Sequence, residues 1–259
     1  MAKIRIDRRK EYREQLRLLL SLSRPLINQI NSFNDKFKKR YSRVYRESGF
    51  ITRESDTKYF ADLFKILSSH VERVSEAMID RMKKSRLLQK QENLPDWVNT
   101  YINEQTAQDV ALITDTTRRQ IATAIEFGLS EGATVFAISK IIEDSTAFSP
   151  QRAKLIARTE THSAMNYASY QTARELSLVR PVKEWISALD DRTRDWHGQA
   201  NGQLRLVEDS FTIFTPQKGG ASVPVAMRFP GDTLGGPANV VNCRCFAIYY
   251  DEEDVVGGR

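Results

Sequence analysis

Apolar residues recur every three to four positions over long stretches of the first half of the chain, the spacing that aligns one face of an α-helix. Leu16, Leu19, Leu20 and Leu22 open such a stripe soon after Glu11. Pro25 is expected to interrupt or restart it, because proline has no amide donor for an interior helix position. The stripe continues through Leu26, Ile30, Phe33, Phe37, Tyr41 and Tyr45, and Gly49 is expected to end it. A second helix is expected from Ser55 or Asp56, both good caps, with Phe60, Leu63, Phe64, Leu67, Val71, Val74 and Met78 on its inner face. His70 beside that stripe reads as a core-edge residue. Pro95 opens a further helical stretch over 95–128, either one helix or two, whose polar span 103–109 faces solvent or a partner. Thr134 caps a brief helix, and Ser149-Pro150 opens one that reaches about Leu178. One side of the last helix is small (Ala153, Ala157, Ala164, Ala168, Ala173), which predicts an interior position.

After Pro181 the period changes. Residues 182–189 read as a strand, and seven of the 12 glycines, with Pro216, Pro224, Pro230 and Pro237, fall between 198 and 237. Such punctuation excludes long helices. Short strands are expected near 203–207 and 223–228, and a last one over 240–250, rich in Val, Ile, Tyr and Phe. The predicted fold class is α+β: an elongated helical region over 1–148, then a small α+β domain over 149–250 with a short antiparallel sheet. Residues 251–259 read as a disordered acidic tail.

Charge sharpens this division. Residues 1–90 hold 23 Lys and Arg against 11 Asp and Glu, a net +12, and the remainder carries −6. Lys36, Lys38, Lys39, Arg40, Arg43 and Arg46 flank the first stripe, and Lys83 and Lys84 close the basic third. Basic charge on an amphipathic helix suits a phosphate backbone or an acidic protein surface, and equally a solvated face. Nothing resembles a signal peptide, and no apolar run approaches the roughly 18 residues a membrane span needs. Two cysteines one residue apart make no disulfide framework, so a reducing compartment fits.

Chemistry gathers in the C-terminal part. In the strand expected over 240–250, Cys243 and Cys245 point the same way and present two thiols to one point. With His197 they form a candidate soft-metal site, zinc being the natural metal, and Asp190, Asp191 or water its fourth ligand. The competing reading is two small buried thiols and a histidine bonded within its loop. Asp190 and Asp191 with Arg192 and Arg194 suit a structural ion-pair network, which Arg158, Glu160, Asn166 and Arg244 would join. The same acids, with His197 and the cysteines, would serve a metal-dependent nuclease or another toxin-like enzyme. Phosphate-binding, zinc-protease and nucleophile-elbow signatures are missing, and the structural network is the reading preferred.

At these residues a resemblance enters. Ala157-Arg-Thr-Glu160, Asn166, Trp185-Ile-Ser-Ala-Leu-Asp190, Arg192-Thr-Arg194, His197, Gly202-Gln, Phe211, Pro230-Gly-Asp232 and Asn242-Cys-Arg-Cys245 occur in that order. The series resembles the Mu-F-like domain of tailed-phage minor head (head morphogenesis) proteins, over roughly 150–250. The resemblance implies a non-enzymatic, low-copy virion component assembled in the bacterial cytoplasm. Its implied partners are the portal protein and the capsid or scaffold, with sequence-independent double-stranded DNA as a further candidate and no membrane. Some members are fused to toxin enzymes, and a chain ending soon after Cys245 leads us to expect no such effector here. The resemblance leaves the roles of the matching polar residues open.

Overall fold

The computed structural model describes residues 6–86, 95–175 and 180–252. The fold is α+β, with long helices in the N-terminal part and short antiparallel sheets near the C-terminus. Two compact units divide it, one from residues 23–71 and 96–157, the other from 1–22, 72–95 and 158–259. The division falls inside helices α1 (Arg8–Ser48), α2 (Arg53–Arg86) and α6 (Pro150–Glu175), and not at the 148/149 boundary expected from the sequence.

The first unit is helical. Leu26, Ile30, Phe33, Phe37, Tyr41 and Tyr45 of α1 are buried, as the stripe predicts. Pro25 does not break α1. Pro25 and Ser21, whose carbonyl loses its amide partner, are both exposed, so solvent can take the vacated acceptor. Gly49 ends the helix at φ +76°, its amide bonded to the Tyr45 carbonyl. Helix α2 begins at Arg53, earlier than Ser55 or Asp56, with the Thr52 hydroxyl accepting from the Ser55 amide. Asp56 instead accepts from the buried Tyr41 hydroxyl, at 2.9 Å. Helices α3 (Asp96–Tyr101) and α4 (Ala107–Ser130) are joined by a wide turn of π-helix over Ile102–Thr106, so the span expected as one helix or two is one path with a bulge. The Thr134 hydroxyl caps α5 (Val135–Glu143) by accepting from Ala137 N. Gly128 lets α4 and α5 touch, since a Cβ there would lie 2.6 Å from Ile138.

The second unit is mixed. Ala164, Ala168 and Ala173 of α6 are buried, so this part of the helix is central, as the small face predicts. Strand β1 (Pro181–Ile186) lies between β2 (Leu204–Leu206) and β5 (Phe246–Asp251), antiparallel to both. A separate hairpin pairs β3 (Phe211–Pro216) with β4 (Ser222–Met227). The sequence reading missed β3, although Phe211, Ile213 and Thr215 alternate inward. The last strand also begins later than expected. Gly236 at φ +68° and Pro237 start a single helical turn, α8 (Pro237–Val240), and Asn242 at φ +56° turns the chain again. Residues 251–252 are no tail: Asp251 ends β5 and accepts from Arg180 N, and Glu252 pairs with Arg180 at 2.8 Å. Residues 253–259 lie outside the described ones. No helix among the described residues is long and apolar enough to cross a membrane.

Candidate functional site

The three donors singled out in the sequence converge, by a route the sequence did not suggest. His197 rides on α7 (Asp195–Gln199), while Cys243 and Cys245 lie in the turns before β5 and not in a strand. Cys243 N bonds back to Val240 O at 3.1 Å, and Cys245 N points to Cys243 Sγ at 3.4 Å. The two sulfurs each lie 3.5 Å from His197 Nδ1. All three side chains are buried, and their donor atoms lie within 4.8 Å of one another.

Asn239 fixes the tautomer of His197. Its Oδ1 accepts from the Trp196 indole N–H at 2.8 Å, and its Nδ2 donates to Gly235 O at 2.8 Å. An indole N–H only donates and a carbonyl only accepts, so the amide orientation is determined. His197 Nε2, 3.2 Å from that same Oδ1, therefore carries the proton. The Nδ1 lone pair is left facing the two sulfurs. Trp185 meets the imidazole edge-on, with centroids 5.6 Å apart. The Ser187 hydroxyl donates to His197 O at 2.6 Å and stands 3.5 Å from Cys245 Sγ. Cys245 is pulled down from the ordinary thiol range by hydrogen bonding to Cys243. Cys243 is pushed up by the Cys245 side chain and by burial.

The expected polar network divides in two. Asp190 receives both guanidinium nitrogens of Arg244 at 2.6 Å, lies 3.7 Å from Arg192, and accepts from Thr193. The Arg244 bond is the main cause that holds its carboxyl well below the usual range. Arg194 donates to Val241 O at 2.6 Å and ties α7 to the turn before Cys243. Arg158, half-buried on α6, faces Arg244 and Arg192; burial first, then those like charges, lower its pKa. Glu160 is half-buried on the same helix. Asn166 belongs to the other group. It donates to His162 O at 3.1 Å and accepts from Ala247 N at 3.3 Å. Asp191 is exposed, and Asp190 is held by arginine, so neither acid stands among the metal-type donors.

Three residues that matter here were not singled out from the sequence. His162 Nε2 donates to the Cys245 carbonyl at 2.6 Å and anchors the turn on α6. Burial lowers its pKa to about 4, so it is neutral, and Gly231 at φ +85° leaves room that a Cβ, 2.9 Å from Nδ1, would fill. Asn239 gave no signal beyond its place in a Gly/Pro-rich loop. Lys183 is fully buried, donating to Val207 O and Arg228 O at 2.8 and 2.6 Å, with the Tyr170 and Phe211 rings about it. Asp232 of Pro230-Gly-Asp232 is also buried and binds the Arg228 guanidinium in a fork at 2.8 and 2.9 Å.

A family model described as Phage Mu protein F like protein matches residues 119–248. The chain belongs to that family. Among curated proteins, the chain is 29% identical over 140 residues to the minor head protein of Bacillus phage SPP1, covering 54% of this chain and 42% of that protein. It is 31% identical over 137 residues to an NAD(+)–arginine ADP-ribosyltransferase of Enterococcus faecalis, covering 52% of this chain and 26% of that protein. The chain thus spans less than half the length of either relative. No solved structure matches. His197, Cys243, Cys245 and Asn239 all lie within the stretch that the Mu-F-like family model covers.

The basic residues of the N-terminal part divide as well. Lys36 pairs with Asp62 at 2.8 Å, Lys38 with Asp35 at 2.6 Å and Arg40 with Glu54 at 3.2 Å. Lys39, Arg43 and Arg46 are exposed. Their steps of four and three residues place them on one face of α1. The side chains of Lys83 and Lys84 lie outside the described part of the structure.

Proposed function

We propose that the chain is a non-enzymatic minor head protein of a tailed bacteriophage, built into the virion as the head assembles in the bacterial cytoplasm, where it contacts the portal protein or the capsid. The observation that carries this is membership of the Mu-F-like family together with the similarity to a phage minor head protein. The geometry agrees with a structural role. Asp190 is engaged by Arg244, and His197 Nε2 is engaged by Asn239, so neither is poised as a free acid or base. The similarity to the ADP-ribosyltransferase covers about a quarter of that protein and supplies no argument for transferase activity here.

Duplex DNA is a finer part of the proposal. If Lys39, Arg43 and Arg46 follow the phosphate backbone, three contacts give log K against log salt a slope of about −3, whereas all six cations singled out over 36–46 would give about −5. The main test is quantitative mass spectrometry of purified virions of a phage that encodes the chain. We expect the chain at a few copies per particle, retained in heads emptied of DNA. Particles of normal composition that lack the chain would sink the head assignment. A flat salt titration on random duplex would remove the DNA part alone.

A further inference from the structure

We propose that His197 Nδ1, Cys243 Sγ and Cys245 Sγ bind one zinc ion that pins α7 to the turns before β5. The site goes beyond the head assignment and does not rest on it. Three observations carry it. Tetrahedral zinc with bonds of roughly 2.0 Å to nitrogen and 2.3 Å to sulfur holds those atoms about 3.6 Å apart. Both sulfurs already stand 3.5 Å from Nδ1, at nitrogen-to-sulfur ligand spacing. The tautomer is also right. Asn239 Oδ1 accepts a hydrogen bond from Nε2–H, as the outer partners of metal-bound histidines do, and one lone pair is left facing two sulfurs. A lone pair accepts from one S–H; a metal satisfies both sulfurs at once. Finally, Cys245 N–H points to Cys243 Sγ, the kind of supporting bond that a thiolate ligand accepts.

Two thiolates and an imidazole are soft donors, which select zinc over magnesium or calcium. Among the described residues no fourth side chain of metal-ligand type joins the cluster, and Asp190 is turned to Arg244. A shallow depression bordered by Thr193, Arg194 and Asn242 reaches His197 and Cys245. Water is therefore the fourth ligand. The ion would join two segments 46 residues apart in sequence.

The test is metal analysis of the full chain purified under reducing conditions without added metal, followed by chelator treatment and titration with cobalt(II). We expect about one zinc per chain, and a cobalt complex with tetrahedral visible bands and thiolate-to-metal charge transfer. Cys243→Ser and Cys245→Ser should each weaken that charge transfer and the affinity by at least tenfold. His197→Cys should keep the metal and strengthen the charge transfer, a result that a hydrogen-bonding role for His197 would not give. Because the wild-type cobalt titration stands on its own, a variant that fails to fold does not blunt the test. Zinc far below one per chain with no cobalt spectrum, or a Cys243–Cys245 disulfide in freshly isolated protein, would overturn the proposal. Either result would leave the virion measurement untouched.

Discussion

The two compact units hold themselves together by different means. The helical unit has a core of interlocked rings and aliphatics. Phe33, Phe37 and Tyr59 meet with centroids 4.6–5.2 Å apart, and Leu26, Leu63 and Leu67 fill between such rings. The C-terminal unit buries Asn166, Lys183, His197, Asp232 and Asn239 and satisfies them through bonds of fixed direction. An apolar core specifies volume, and volume can be matched by more than one side chain. A buried polar cluster also specifies where each donor and acceptor lies, so a substitute of the right size and wrong polarity strands its neighbours.

The largest expected effect tests that contrast at Asn239. Asn239→Leu roughly conserves volume but leaves the Trp196 indole N–H, the His197 Nε2–H, the Thr215 hydroxyl and the Gly235 carbonyl without their partner. At about 1–3 kcal/mol for each stranded group, the loss should be on the order of 4 kcal/mol or more. That is a large part of the ~5–15 kcal/mol that typically stabilises a domain. Urea unfolding followed by tryptophan fluorescence measures it, because Trp185 and Trp196 both sit in this cluster. A loss under about 1.5 kcal/mol, the usual limit for a volume-conserving apolar swap, would erase the distinction between the two cores.

Lys183 gives a second test, through pH. Burial lowers its pKa from 10.5 to about 8. Between those values the unfolded chain holds a proton that the folded chain has released, so stability rises with pH across that window. Over the full window the gain is about 3 kcal/mol, at roughly 1.4 kcal/mol per pH unit, and below pH 8 no further change comes from this group. Lys183→Met should remove that rise, seen as the difference in urea midpoint between pH 8 and pH 10.5 for the two proteins. An identical rise in both would show that Lys183 is not the titrating group.

The contrast also explains what could be read in advance. The stripes of α1 and α2 were legible because burial there depends on spacing alone, and Thr134 and Ser149 were legible as caps because capping is local. Pro25 misled because its cost depends on whether the vacated carbonyl reaches water, which is set by the face it occupies. Cys243 and Cys245 were picked out for a strand they do not occupy. Their convergence depends on the left-handed Asn242 and on α7, reached through the chain's own tertiary turns. Asn239, His162 and Lys183 stayed hidden for the same reason. A single polar residue carries no periodic signal, and its role appears only when distant carbonyls and rings close around it. Arg244 and Asp190 were legible as members of one polar network, and the two-nitrogen fork between them was not.

The smallest expected effect lies on the other side of the comparison. Leu67 of α2 is buried in the helical core, and its neighbours there are apolar or aromatic side chains that ask only for contact. Leu67→Met changes shape while nearly conserving volume, and methionine's flexible chain adapts to irregular gaps. The cost should stay below about 1.5 kcal/mol, with the same single unfolding transition. Differential hydrogen exchange in native conditions gives the sharper reading, because Leu67→Met should loosen amides of α1 and α2 and leave those of β1 and β5 unchanged. If this substitution costs as much as Asn239→Leu, the helical core is as tightly specified as the polar one, and the difference between them lies only in composition.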